Sequence, residues 1–235
     1  MAKLYLGTRE VTPSIYKLSN EIPSYAITNG SINKNSAVLD GTEFSNVTAI
    51  MSWDYGFYKC YLSGILNLPG VFTIAENSMA HCFDGNRISS FDLSNLFMVE
   101  QKGLSYAFAN GSNLTNVTFP LLSNILEYGL EHIFDGCSNL TTVTCEDLFG
   151  IVDEGALEGA FRRCTSLANI YFYNLANDIS LDAFVNMMTS TGYNITHTLH
   201  FPSNMESTIQ GLTGYPNFGG TSGYVVLAYD LPATS

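Results

Sequence analysis

The stretch HIFDGCSNLTTVTC at residues 132–145 returns one period later as GAFRRCTSLANIYF at residues 159–172. The two stretches align without a gap, and YAFANGSNLTNVTF at residues 106–119 aligns with both. Self-similarity at such a period indicates a solenoid, in which each repeat is one structural unit. We therefore expect the recurring apolar residues to form the core of a repeating scaffold, and not an active-site motif that is used twice.

A phenylalanine marks the repeat and recurs every 25 to 27 residues, at Phe57, Phe83, Phe108, Phe134 and Phe161. Each copy is interpreted as a helical turn that ends at the Phe, a Gly/Ser/Asn turn and a strand with the pattern L-x-x-V-x-F. The helical turn is predicted because Leu130 and Phe134 lie four residues apart, as on one face of a helix. Stacked coils would bury both flanks of each copy, and their strands would pair in parallel.

The pattern F-x-x-C-[TS]-[SN]-L-x-x-[VI]-x-[FI], with a G-[AL]-L-x-x-[AI]-F turn before it, resembles the BspA-like leucine-rich-repeat proteins. The resemblance covers about residues 57–185. It implies an α/β fold, a right-handed leucine-rich-repeat solenoid with parallel strands and short helical turns. It also implies a protein that works by binding, in many members at a bacterial surface, with no catalytic residues in the pattern. The opening LYLGTREVTPSI at residues 4–15 loosely resembles the start of some phage-associated and tail-like proteins from gut bacteria.

The two ends lack the repeat and are predicted to be β-rich caps of one continuous domain. Residues 1–45, where KLYLG and SYAIT have the composition of strands, are expected to cover the first coil. The solenoid is placed at residues 46–200, with about 26 residues per repeat, and HTLHFPSN at 197–204 could hold one more strand. Residues 201–235 form the second cap, in which the strand YVVLAYDL would protect the edge of the last coil.

Composition and charge exclude several classes of function. Nine Lys and Arg stand against 21 Asp and Glu, and the formal net charge is −12. No basic stripe is present, so nucleic acid is not an expected partner. The sequence has no apolar run that predicts a membrane span, and no signal peptide is recognised at its start. The location stays open between a surface-exposed and a virion-associated protein.

Side chains that could take part in catalysis or metal binding lie mostly at repeat positions. Cys60, Cys137 and Cys164 each follow the repeat Phe by three residues and are interpreted as small buried hydrophobes, although a Cys137–Cys164 bridge stays open. His197 and His200 would point to opposite faces of a strand, which disfavours a metal site. One acidic cluster could hold a calcium ion or a glycosidase carboxylate pair, but the EF-hand spacing is absent and a solvated rim is favoured: Glu146, Asp147, Asp153, Glu154 and Glu158. We predict no catalytic residues, no metal site and no cofactor.

The outward side chains of the predicted strands are the candidate binding residues. They are small and polar apart from one tyrosine: Asn116, Thr118, Thr142, Thr144, Asn169 and Tyr171. One interpretation is a solvated sheet of good strand formers. The other is a flat polar binding face with Tyr171 and Tyr173 as anchors, because solenoids present extended binding surfaces and tyrosine suits interfaces.

The sequence therefore predicts one of two functions. The first is a non-enzymatic binding or adhesion module that recognises a protein or a glycan on a cell surface. The alternative is a structural subunit of a phage tail or similar assembly, which would form a homo-oligomer. An enzyme is disfavoured, because a smooth solenoid offers few clefts in which to place a perturbed acid, base or nucleophile.

Overall fold

The computed structural model describes residues 4–6, 9–11, 38–40, 47–48, 50, 53–175, 179–192, 194–221 and 223–233. These residues hold one short helix, α1 (Glu206–Gln210). Their strands in chain order are β1 (Leu4–Leu6), β2 (Arg9–Val11), β3 (Val38–Asp40), β4 (Ser63–Asn67), β5 (Thr73–Ile74), β6 (Arg87–Asp92), β7 (Met98–Val99), β8 (Asn116–Phe119), β9 (Asn124–Ile125), β10 (Thr142–Cys145), β11 (Asn169–Phe172), β12 (His197–Pro202) and β13 (Val225–Leu231).

The longer strands form two parallel sheets that follow the repeat. One sheet has the order β3-β4-β6, and the other has the order β13-β12-β11-β10-β8. Strands β8, β10 and β11 are in register, because Val117 lies opposite Val143 and Val143 lies opposite Ile170. Each strand thus belongs to one coil and pairs with its equivalent in the next coil. The predicted parallel-strand leucine-rich-repeat solenoid is confirmed.

A third parallel sheet, made of two-residue strands, runs along another side of the coils. Strands β5, β7 and β9 pair in parallel. Isolated bridges extend the row from Ile125 to Val152 and from Val152 to Ile179. These three side chains pack against the core, so the variable connection after each longer strand adds a further column of apolar contacts.

The segments predicted as helical turns contain no α-helix in the described residues. They are successive turns in which every fourth residue is left-handed, for example Tyr128 at φ +55° and His132 at φ +51°. Alternate N–H groups donate to the next coil, as from Phe134 to the Ala160 carbonyl oxygen at 3.0 Å. The N–H groups between them donate three residues back within their own coil. The helix prediction was wrong at this point because a four-residue turn period also puts Leu130 and Phe134 on one side.

The repeat Phe residues form the predicted inner column. Adjacent rings from Phe57 to Phe161 stack with centroid distances of 5.2, 5.7, 6.1 and 6.1 Å. All five rings are buried. Burying such a ring contributes about 1.5–3 kcal/mol, and each ring needs the coils on both sides to do so. The column therefore holds neighbouring coils together.

The cysteines at the repeat position contact backbone carbonyl groups, and Cys137 and Cys164 are not joined by a disulfide bond. The Cys137 thiol donates to the Phe108 carbonyl oxygen at 3.2 Å, and the Cys164 thiol donates to Phe134 at 3.1 Å. In the copy where asparagine replaces cysteine, Asn86 donates to the carbonyl oxygen of Phe57 at 2.8 Å. This position satisfies a buried carbonyl group of the preceding coil, which explains why small polar and sulfur-containing residues recur there.

The predicted caps are described in part. Strand β1 lies within KLYLG and pairs antiparallel with β2, whereas SYAIT lies outside the described residues. Strand β12 is the extra strand expected in HTLHFPSN. Strand β13 lies in YVVLAYDL and pairs in parallel with β12, so it continues the sheet at the end of the solenoid. The boundaries at residues 45 and 200 stay predictions.

Candidate ligand-binding face

The predicted binding residues form two straight columns on the outer side of the five-stranded sheet. The register places Asn116, Thr142 and Asn169 opposite one another, and the same holds two residues later for Thr118, Thr144 and Tyr171. All six side chains are exposed or half-buried, while the residues between them are buried. We call this surface the strand face. Neighbouring coils are about 4.8 Å apart, so each column offers one polar group per coil at that spacing.

The ring of Tyr171 is held in place by the next coil. It stacks on the His200 ring with a centroid distance of 4.3 Å and an interplanar angle of 15°. His200 Nδ1 lies 2.9 Å from Asp230 Oδ1, and its Nε2 lies 3.2 Å from Asn169 Oδ1. Because both ring nitrogens have partners, His200 acts as a fixed support on which the tyrosine rests. The network joins β11, β12 and β13.

A second tyrosine extends the aromatic part of this face. Tyr173 lies just after β11, and its ring centroid is 6.0 Å from that of Tyr171, with nearly parallel planes. Both rings are half-buried. Toward the other end of the face, the columns carry the hydroxyl groups of Thr118 and Thr144. The strand face thus carries hydroxyl and amide groups at one end and aromatic rings at the other. These side chains can form hydrogen bonds to a ligand and stack on it at the same time.

Sequence reasoning missed two residues of this face. His200 was considered only as a metal ligand, and Asp230 was assigned to a cap. The alternation in β12 already predicts that Thr198 and His200 share one side, because side chains alternate along a strand. The pairing of β12 with β11 is what places them beside Asn169 and Tyr171. The position of Asp230 depends on the irregular register of β13, which the sequence does not reveal.

The other candidate groups have structural partners or lie apart. His197 is buried, and its Nδ1 contacts the carbonyl oxygen of Leu167, so it points away from His200 as predicted. Burial raises the pKa of the Cys137 and Cys145 thiols to about 12. Such thiols stay protonated at neutral pH and are poor nucleophiles. The described residues contain no group of three or more His, Cys, Asp or Glu side chains that could hold a metal ion.

Comparison with known families agrees with this architecture. The model of the BspA type leucine-rich repeat region, in six copies, matches residues 20–159 and 81–207. These matches cover well over half of the chain, which therefore belongs to the BspA-type leucine-rich-repeat family. Such repeats suggest a protein-interaction or adhesion-type module, and solenoids of this class are typically non-enzymatic scaffolds. Searches of curated proteins and of solved structures found no significant match.

Among the described residues, no helix has the length and apolar character that crossing a membrane requires.

Proposed function

We propose that this chain is a non-enzymatic binding module that recognises a protein or glycan ligand on a cell surface through the strand face. The observation that carries the proposal is the alignment of the six predicted residues in two columns, with Tyr171 supported by His200. A ligand can then contact successive coils through equivalent groups. An extended surface of repeated contacts is the usual binding mode of solenoids.

The chemistry of the strand face suits ligands that are rich in hydroxyl or amide groups. Threonine hydroxyls donate and accept, and asparagine amides do both with separate atoms. A tyrosine ring that is already immobilised loses little side-chain entropy when a ligand packs against it. The face therefore supports recognition of a sugar chain or of an extended peptide segment without a deep pocket.

The test is the binding of fluorescently labelled protein to intact bacterial cells, measured for two arginine variants. Thr144→Arg places a large cation in the middle of the strand face, between Thr118 and Tyr171. The matched control is Ser138→Arg, an exposed position in the turn that precedes the same strand. We expect at least a tenfold loss of binding for Thr144→Arg and less than a twofold change for Ser138→Arg, with unchanged thermal melts for both.

Treatment of the cells distinguishes the two ligand classes. Loss of binding after periodate oxidation indicates a glycan, and loss after protease treatment indicates a protein. Equal binding by the two arginine variants, or no binding of the wild-type chain to any cell type, would contradict recognition of a cell surface by the strand face.

A structural subunit of a phage tail or similar assembly is the second candidate function. It is favoured by exposed apolar side chains on another part of the coils. Phe72 and Phe97 stack at 5.1 Å while remaining 55% and 37% exposed, and Phe149 is 57% exposed. Contiguous exposed apolar groups often mark protein contacts. Light scattering tests this function, because an assembly subunit forms a stable oligomer that the double variant Phe72→Ser, Phe97→Ser dissociates.

A further inference from the structure

Four aromatic rings form a ladder along the side of the solenoid that is built from turns. Tyr55, His81, Tyr106 and His132 occupy equivalent left-handed positions in successive coils. Their rings stack with centroid distances of 4.6, 4.6 and 4.5 Å. Each of the four residues is half-buried, so one side of the ladder faces solvent. This arrangement forms a continuous aromatic wall, which we call the ring ladder.

A groove runs beside the ring ladder. Two small residues that directly precede rings of the ladder, Ala80 and Ser105, line it. Asn77 and Lys102, which occupy the left-handed position four residues before His81 and Tyr106, also line it. The groove has a volume of about 390 Å³, and its acidic lining residues are Asp54 and Glu131. Ligand pockets begin at about this size, and this one is open to solvent.

The surroundings of Glu131 are strongly acidic. Ser105 Oγ donates to Glu131 Oε2 at 3.0 Å, and among the described residues no hydrogen bond reaches the other carboxylate oxygen. Equivalent positions of adjacent coils carry Glu127 and Glu154, and likewise Glu131 and Glu158. Burial raises the pKa of the Tyr128 hydroxyl, and all four carboxylates raise it further. The four carboxylates therefore create a negative electrostatic potential at the Tyr128 ring.

Two lysine side chains of the protein already make cation–π contacts with tyrosine rings on this side of the solenoid. The Lys102 ammonium lies 5.4 Å from the ring centroid of Tyr128, and the Lys59 ammonium lies 4.6 Å from that of Tyr58. Ring faces attract ammonium groups, most strongly where water is partly excluded. Lys102 and Arg162 lie among these acidic groups, but Asp54 and the four glutamates outnumber them. The local balance of charge therefore remains negative and favours a further cation.

We propose that the groove beside the ring ladder binds the ammonium groups of a linear multivalent cation, such as a polyamine or the lysine side chains of a basic peptide. One ammonium group lies at Ser105 and pairs with Glu131, next to the Tyr106 ring. The next ammonium group reaches Glu158, one coil further. Three or four methylenes place successive ammonium groups roughly 5–6 Å apart by ordinary bond lengths, close to the coil spacing of about 4.8 Å.

This site is separate from the strand face, and its test does not depend on the proposed function. Spermidine and the peptide acetyl-Lys-Gly-Lys-Gly-Lys-amide are titrated into the full chain at low and at physiological salt, with calorimetry and amide chemical shifts as readouts. The variant is Glu131→Gln. The matched control is Glu146→Gln, which removes the same charge from an exposed position just after β10.

We expect saturable binding of at least one probe, with the largest amide shifts at Ser105, Tyr106 and Glu131. Glu131→Gln is expected to weaken the binding at least tenfold, whereas Glu146→Gln changes it less than twofold. The probe with the lower Kd identifies the source of the ammonium groups. The proposal is overturned if neither probe binds, or if the two variants weaken binding equally, because binding would then reflect only the net charge. The strand-face variant Thr144→Arg should bind the probes as the wild type does.

Discussion

Replacing Lys102 by glycine and by alanine tests the backbone of the turn segments directly. Lys102 is exposed, its φ is +53°, and its N–H donates to the Glu127 carbonyl oxygen of the next coil at 3.1 Å. Both variants lose the contact of the lysine with the Tyr128 ring. The difference between the two variants therefore isolates the cost of a Cβ atom at this position.

The expected magnitude follows from two opposing terms. A Cβ in the left-handed conformation costs roughly 1–2 kcal/mol. The greater freedom of glycine in the unfolded chain offsets about 0.4–1 kcal/mol of this difference. Lys102→Gly should therefore be more stable than Lys102→Ala by about 0.5–1 kcal/mol. In an α-helix the order would be reversed, with glycine about 0.8–1 kcal/mol less stable than alanine.

The assay is equilibrium unfolding in urea, followed by circular dichroism, with thermal melts as a second readout. A chain of this size should show a shift of about 2–4 °C in Tm per kcal/mol. The control pair is Gln101→Gly and Gln101→Ala, at the preceding residue, which does not have a positive φ. There alanine should be the more stable variant. A Lys102→Ala variant that is more stable than Lys102→Gly would refute the turn structure.

Three further predictions concern packing, thiol reactivity and pH. Gly159→Ala should lower the free energy of unfolding by about 2–4 kcal/mol, because the added Cβ would lie 2.3 Å from the His132 ring at a residue with φ +58°; an unchanged urea midpoint would contradict this contact. Iodoacetamide at pH 8 should label Cys137 only in denaturant, since burial raises its pKa to about 12; rapid labelling of the native chain would show that the thiol is accessible. Burial pushes the pKa of Asp135 up, but the His132 ring, with Nδ1 3.6 Å from Asp135 Oδ2, and the hydrogen bond donated by Arg163 Nε at 2.8 Å outweigh it and leave this pKa lowered. The carboxylate therefore stabilises the fold above its unfolded pKa, and this stability is lost as pH falls through the folded pKa. Asp135→Asn should flatten the acidic side of the stability profile, and a profile identical to that of the wild type would count against the ion pair.

The longer strands and the inner column could be predicted from sequence because they depend on a local rule. In the stretch 116–119, the apolar Val117 and Phe119 alternate with the polar Asn116 and Thr118, so the inward and outward sides of β8 follow from the period of two. The same rule placed Thr142 and Thr144 outward and Val143 inward, as the structure has them. Because the three copies align without a gap from the repeat Phe to the strand, equivalent residues of successive strands come into register.

The turn segments were predicted to be helical because two backbone conformations produce the same four-residue spacing of apolar side chains. An α-helix and a chain of four-residue turns both place residues i and i+4 on one side. A usable signal was present in Gly155 and Gly159, four residues apart, with Asn77 at the position of another coil that is equivalent to Gly155, and Asn110 and Gly136 at the next position of the same row. Glycine and asparagine tolerate the left-handed conformation and are poor helix formers. Tyrosine and histidine at the same positions conceal that signal.

The sequence by itself determined the period, the residues that face the core and the residues that face outward, since these follow from the side-chain alternation and turn residues within one copy. Only the tertiary structure decided which groups meet across copies: Tyr171 on His200, the thiol of Cys137 on the carbonyl group of Phe108, and the ring ladder with its groove. These contacts join residues about one repeat apart in the chain. They depend on the lateral register of stacked coils, which is set by the hydrogen bonds that alternate turn peptides donate to the next coil.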